Sequence, residues 1–222
     1  MVILDITPFK GAMMCVEIGL DDRLSNYDDV GNYRKDRVTK IYVHRDILAD
    51  SGLKKGNAIT EDEADLLIYK NDRRRARERA LHLMTARDYS YGGLYEKLSE
   101  NYSEEICEEV CDELARRGII NDRRYAEKLC RHLFESKKLG EWAVRREMRR
   151  KGLTSEIIEE AIEEFTEEDD SFARLEKLVE TKYERYLTDR KGVKKVKDAL
   201  ARRGYSYDEI NEVIDLYDLD FE

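Results

Sequence analysis

Gly140-Glu141-Trp142-Ala143-Val144-Arg145-Arg146-Glu147-Met148-Arg149-Arg150-Lys151-Gly152-Leu153 is the stretch that decides the fold. Val144 and Met148 stand four apart, on one face of a helix. Gly152 supplies the left-handed residue that ends one. The pattern recurs on both sides. Four and eight residues after Ser90, Gly140 and Gly192 come Leu94 and Leu98, Val144 and Met148, and Val196 and Leu200. Left-handed stops are expected at Asn101, Gly152 and Gly204, since Asn also tolerates that conformation. Counting on from each stop, apolar residues return in register: Tyr102, Leu153 and Tyr205, then Cys107, Ile158 and Ile210, then Cys111, Ile162 and Ile214. The first copy is one residue shorter between Leu98 and its stop.

A period of about 50 residues means an array, in which each unit covers its neighbour's apolar face. The expected fold is mostly α: tandem three-helix repeats in a curved array behind a small N-terminal β-containing region. Residues 1–59 form that region. A leading helix and repeat 1 occupy 60–120, repeat 2 occupies 121–169 and repeat 3 occupies 170–222. Thr60 followed by Glu63 is a capping box that opens the helical part. Before it, Val2–Ile6, Met13–Ile18 and Val38–Val43 are β-branched runs that predict strands, with Pro8 and Gly11 turning the first into the second. Asp21 to Asp36 is polar and aperiodic and is expected to be a mobile loop. A short helix is expected from Arg45 to Asp50, stopped at Gly52.

Composition agrees. Charged residues make up 41% of the 222, against about 25% in an ordinary domain. One Pro and 12 Gly leave too little turn chemistry for a sandwich or barrel. No apolar run reaches the roughly 18 residues a membrane helix needs, and the N-terminus does not read as a signal peptide. The expectation is a cytoplasmic monomer with four reduced cysteines. Nucleophile elbow, Walker loop, dinucleotide fingerprint and paired-Cys motifs are missing, so neither an enzyme nor a metal or cofactor site is expected. Cys107 and Cys111 align with isoleucines and read as core. His82 and His132 hold equivalent places with Glu184 in the third copy, which argues against a ligand pair.

Charge is segregated within the net −9. The third helix of repeat 2, from Thr154 to Asp170, carries nine acids and no base. The second helices of repeats 2 and 3 are basic. With Val144 and Met148 facing inward, Trp142, Arg145, Arg146 and Arg149 fall on the far side. Lys194 takes the Trp142 position and Lys197 the Arg145 position. With Arg150, Arg190, Lys191 and Arg202 these are the candidate contact residues. They suit a phosphate backbone or an acidic protein groove. A solvated face paired with the acidic helices next door is the competing reading.

Ala115-Arg116-Arg117-Gly118-Ile119-Ile120-Asn121-Asp122-Arg123-Arg124-Tyr125-Ala126 resembles the signature joining repeats 1 and 2 of the RecX family of bacterial recombination regulators. Ser90, Leu94, Lys97 and Leu98, and Lys138-Leu139-Gly140 with Val144, Met148, Lys151 and Gly152, are similar to that family's first and second repeats. The resemblance implies a curved array of three-helix repeats. It implies binding to the RecA–DNA filament, with DNA met inside the filament, and restraint of RecA strand exchange and ATP hydrolysis without catalysis. A stand-alone nucleic-acid-binding module is the alternative. Asn121-Asp122 also has a local reason: Asn121 caps the next helix and Asp122 favours its positive end.

Overall fold

A computed structural model describes residues 1–19, 38–168 and 170–217; the Asp21–Asp36 loop expectation lies outside the described residues. The chain divides into two compact units, one of residues 1–83 with 98–110 and one of 84–97 with 111–222.

In the first unit, β1 (Val2–Pro8), β2 (Met13–Gly19) and β3 (Val38–His44) form an antiparallel sheet in that order. Val16 lies opposite Ile6 on one side and Ile41 on the other, and a bulge interrupts β1 between Ile3 and Asp5. The β1–β2 turn closes through Phe9 N–H to Met13 O at 2.9 Å, with Gly11 at φ 61°. Helix α1 (Arg45–Ser51) follows β3 directly, capped by the His44 side chain, and stops at left-handed Gly52. The 26-residue α2 (Glu61–Ala86) begins at the Thr60–Glu63 capping box. Alternation along the strands turns Ile3, Val16, Ile18, Ile41 and Val43 onto one face, where they pack with Leu48 of α1 and Ala64 and Leu67 of α2. Buried Asn71 accepts the His44 N–H at 3.0 Å, tying α2 to the end of β3.

The repeats are carried by α3 (Tyr91–Ser99) and α4 (Glu104–Arg116), then α5 (Asp122–Arg131), α6 (Glu141–Arg150) and α7 (Ser155–Glu168), then α8 (Ser171–Lys182), α9 (Arg190–Arg202) and α10 (Tyr207–Ile214). A π turn, His132–Ser136, prolongs α5, and a 3₁₀ turn, Glu184–Tyr186, follows α8. The fold is mostly helical, with one small N-terminal sheet among the described residues. Leu94, Leu98, Val144, Met148, Val196 and Leu200 are all buried, as are Cys107, Ile158 and Ile210. Val144, Met148, Leu153, Ile158 and Ile162 share one core, and Val196, Leu200, Tyr205, Ile210 and Ile214 share the corresponding one.

One helix stop departs from expectation. Gly152 and Gly204 are left-handed, at φ 78° and 92°, but Asn101 is not. Gly152 N–H reaches Arg149 O and Leu153 N–H reaches Met148 O; Gly204 and Tyr205 repeat this with Ala201 and Leu200. These are Schellman closures, and each puts an apolar residue back on its own helix. At the end of α3, Tyr102 N–H instead reaches Leu98 O, one residue closer. The missing residue in the first copy removes the left-handed step.

Candidate interaction surface

The second helices of the repeats meet end to end. The first N–H groups of a helix and its last carbonyls lack partners inside it. At the start of α6, Gly140 N–H donates to Arg203 O at 2.9 Å and Trp142 N–H to Gly204 O at 3.2 Å, so the end of α9 satisfies them. At the start of α3, Ser90 Oγ donates to Lys151 O at the end of α6 and accepts from Gly93 N–H. Positive and negative helix ends are thereby apposed at both joints. The approach requires glycine: a Cβ on Gly92 would stand 2.6 Å from Gly152 O, and one on Gly140 would collide with the Gly204 and Tyr205 backbone.

Side chains brace the same joints. Asn121 caps α5 by accepting from Arg124 N–H, as the sequence implies. Asp122 does more than favour its own helix end, because it also accepts from Tyr91 N–H at 2.7 Å and caps α3. Burial pushes its carboxyl above the usual range. At the second joint Arg203 donates to the Lys137 and Lys138 carbonyls, and Tyr205 Oη donates to Lys138 O. They hold Lys138 at φ 51°, the one left-handed non-glycine among the described residues. Arg174 stacks 4.6 Å from the centre of the Phe134 ring, which itself lies on Phe165.

The candidate basic residues divide into two groups. Arg145 is half-buried and engaged: it makes three hydrogen bonds to Glu159 at 2.7–3.1 Å and an ion pair with Glu141. Lys197 donates to Asn211 Oδ1 at 2.7 Å. Both pairs span 14 residues, so the second helix clasps the third at the same place in two repeats. Arg150 pairs with Glu147 at 2.8 Å. Of these three, only Arg145 pairs with an acid of the neighbouring helix; Lys197 meets a neutral Asn there, and Arg150 pairs within α6 itself. Trp142, Arg146, Arg149, Arg190, Lys191, Lys194 and Arg202 are exposed. Arg146, Arg149, Lys191 and Lys194 make no ion pair or side-chain hydrogen bond among the described residues. Arg146 and Arg149 fall one and two turns beyond Trp142 on one face of α6. Their counterparts on α9 are Asp198 and Ala201, so this face has no copy in repeat 3.

A further basic surface went unremarked in the sequence. Lys70, Arg73, Arg74 and Arg77 stand at helical spacing on α2 and, with Ile47 and Asp50, line a groove of about 440 Å³. The run Arg73-Arg74-Arg75 was the available signal. Its charge is partly answered, by Glu109 on Arg73 at 2.5 Å and by Asp46 and Glu78 on Arg74. His82 and His132 are both exposed, and among the described residues no three His, Cys, Asp or Glu side chains converge as a metal site. None of the four cysteines forms a disulfide, all are buried, and burial pushes the Cys130 thiol up to about 12. Among the described residues no helix is long and apolar enough to cross a membrane.

Three-helix repeats joined through their second helices, with exposed basic residues on α6 and α9, define a helical-repeat protein. The family models for the first, second and third three-helix domains of RecX match residues 76–114, 121–162 and 168–214. The chain is 28% identical over 197 residues to the regulatory protein RecX of Clostridioides difficile strain 630, covering 88% of this chain and 92% of the relative. It is 30% identical over 140 residues to the regulatory protein RecX of Trichlorobacter lovleyi, covering 61% and 91%. A crystal structure of a regulatory protein RecX superposes with a TM-score of 0.63 at 23% identity, over 96% of this chain and 98% of that one. RecX from Lactobacillus salivarius gives 0.59 at 26%, over 68% and 99%. The chain belongs to the RecX family of regulatory proteins, which is not a known enzyme family.

Proposed function

We propose that this protein binds the RecA–DNA filament and restrains RecA's strand exchange and ATP hydrolysis, acting as a cytoplasmic monomer in homologous recombination and DNA repair. The observation that carries the reading is a set of exposed, unpaired cations on α6 and α9, Arg146, Arg149, Lys191 and Lys194, within a chain of net charge −9. So acidic a chain repels bare duplex, whereas a filament offers both phosphate and protein surface. Arg190 and Arg202 extend the same basic field, and Arg145 and Lys197 contribute charge from their clasped positions, with Arg150 beside them paired to Glu147.

The test is RecA ATPase on single-stranded DNA, across salt concentrations, with the parent and with a variant carrying Arg146→Glu, Arg149→Glu, Lys191→Glu and Lys194→Glu. The parent is expected to inhibit, less so as salt rises. The variant should keep its fold and lose inhibition. Equal inhibition by both proteins rejects this surface. Tight duplex binding without RecA moves the assignment to a stand-alone nucleic-acid module.

A further inference from the structure

Trp142 is the chain's one tryptophan. At 69% it is the most exposed large apolar side chain among the described residues. Its backbone is fixed, because Trp142 N–H donates to Gly204 O at the joint with α9. The indole therefore stands at a defined place, and its ring makes no stacking or cation–π contact among the described residues. Arg146 lies about 6 Å and Arg149 about 10 Å further along the same face, from a rise of about 1.5 Å per residue. The carboxylates nearest this face are gripped by other arginines, Glu147 by Arg150 and Glu141 and Glu159 by Arg145, and Arg149 reaches Glu159 only through space, without an ion pair. Two guanidinium groups and an uncovered aromatic face are left.

We propose that this face of α6 binds a single nucleic-acid strand, with the Trp142 indole stacked on an unpaired base and Arg146 and Arg149 on the adjoining phosphates. The proposal rests on the filament reading and names what the α6 face touches. An acidic protein segment would answer the arginines and leave the indole in water, whereas a strand answers both. In a duplex the base faces are covered by their neighbours and reaching one costs a few kcal/mol of unstacking, about as much as stacking returns, whereas an unpaired base offers an open π-face. Stacking of this kind tolerates any sequence.

With a single tryptophan, the emission of the full chain reports on this residue alone. Titration with an oligo-dT strand should quench it; inorganic polyphosphate of equal charge should not. Trp142→Ala should weaken oligo-dT binding about tenfold or more, and Trp142→Phe should retain most of it. Arg146→Gln with Arg149→Gln should lower the log–log salt slope by about 1.4, for two phosphate contacts on a single strand. Unchanged emission with oligo-dT overturns the proposal, as does equal oligo-dT affinity of parent and Trp142→Ala. An emission change that needs RecA and not DNA places the indole against protein and overturns it too. The two readings fail separately. Salt-sensitive inhibition of RecA ATPase without quenching keeps the filament reading alone, and quenching without inhibition keeps the strand contact alone.

Discussion

Arg145 and Arg146 are neighbours in sequence with opposite circumstances. The Arg145 side chain is 24% exposed and forks onto Glu159, while Arg146 points to water. Glu159 is half exposed, so solvent screens the pair. Arg145→Ala should cost about 0.5–1 kcal/mol at neutral pH, and Arg146→Ala less than about 0.5. The hydrogen bonds from Arg145 hold the Glu159 carboxyl below its usual 4.5. A carboxylate with a depressed folded value stabilises fully above its unfolded pKa and stops doing so as pH falls through the folded one. The stability gap between parent and Arg145→Ala should therefore close below about pH 4.5, measured by urea melts across pH. The 14-residue offset shared by Arg145–Glu159 and Lys197–Asn211 was available in the repeat alignment, and it marks the clasped residues. Asp122 was legible only in part. Its own helix start is local, but Tyr91 N–H lies 31 residues earlier and was brought close by the joint. Asp122→Ala should cost about 1 kcal/mol, because it removes the carboxylate that accepts the first N–H of α3. An equal melting midpoint for that variant would remove Asp122 as the cap.

Helix stops make the sharpest comparison between elements. A Cβ at Gly152 faces a left-handed φ of 78° and would stand 2.7 Å from Gly93 N. Both penalties act together, so Gly152→Ala should cost about 2 kcal/mol or more. Asn101→Gly tests the third stop by sign. In a left-handed site glycine would stabilise. Asn101 is not left-handed, so added freedom in the unfolded chain should cost about 0.5 kcal/mol. A stabilised Asn101→Gly variant in thermal melts would restore the left-handed stop. The element pattern itself was readable from residue spacing. Three β-branched runs became three strands, and the Thr60–Glu63 box opened α2. The π turn was not readable. It exists because Lys137 N–H reaches back five residues to His132 O while Arg203 and Tyr205 hold the left-handed Lys138 that follows. Those partners lie 65 or more residues away, beyond any local pattern.

At the scale of the molecule, the period of the array was visible in the sequence because each repeat must bury the same positions. The joints between repeats were not, although Gly140 and Gly204 stood in plain sight as a helix start and a helix stop. Their second task, close backbone approach, appears only when α6 is set on α9. This separates two kinds of core damage. Met148 is fully buried within repeat 2, so Met148→Ala should cost about 2–5 kcal/mol and weaken that repeat from inside. Gly140→Ala leaves both cores intact but drives a methyl group into the Gly204–Tyr205 backbone, which opens the joint. In an array, stability is a sum of repeat terms and nearest-neighbour terms, and these variants strike different ones. Amide exchange should read the difference. With Met148→Ala, protection should fall across α5, α6 and α7. With Gly140→Ala, the Gly140 and Trp142 N–H groups should lose protection, and α8, α9 and α10 should open at lower free energy while α7 holds. Uniform loss across both repeats in either variant would mean that repeats 2 and 3 unfold as one cooperative block. The joint also fixes Trp142, so Gly140→Ala should loosen the indole and lower its emission anisotropy, linking repeat packing to the surface proposed for contact.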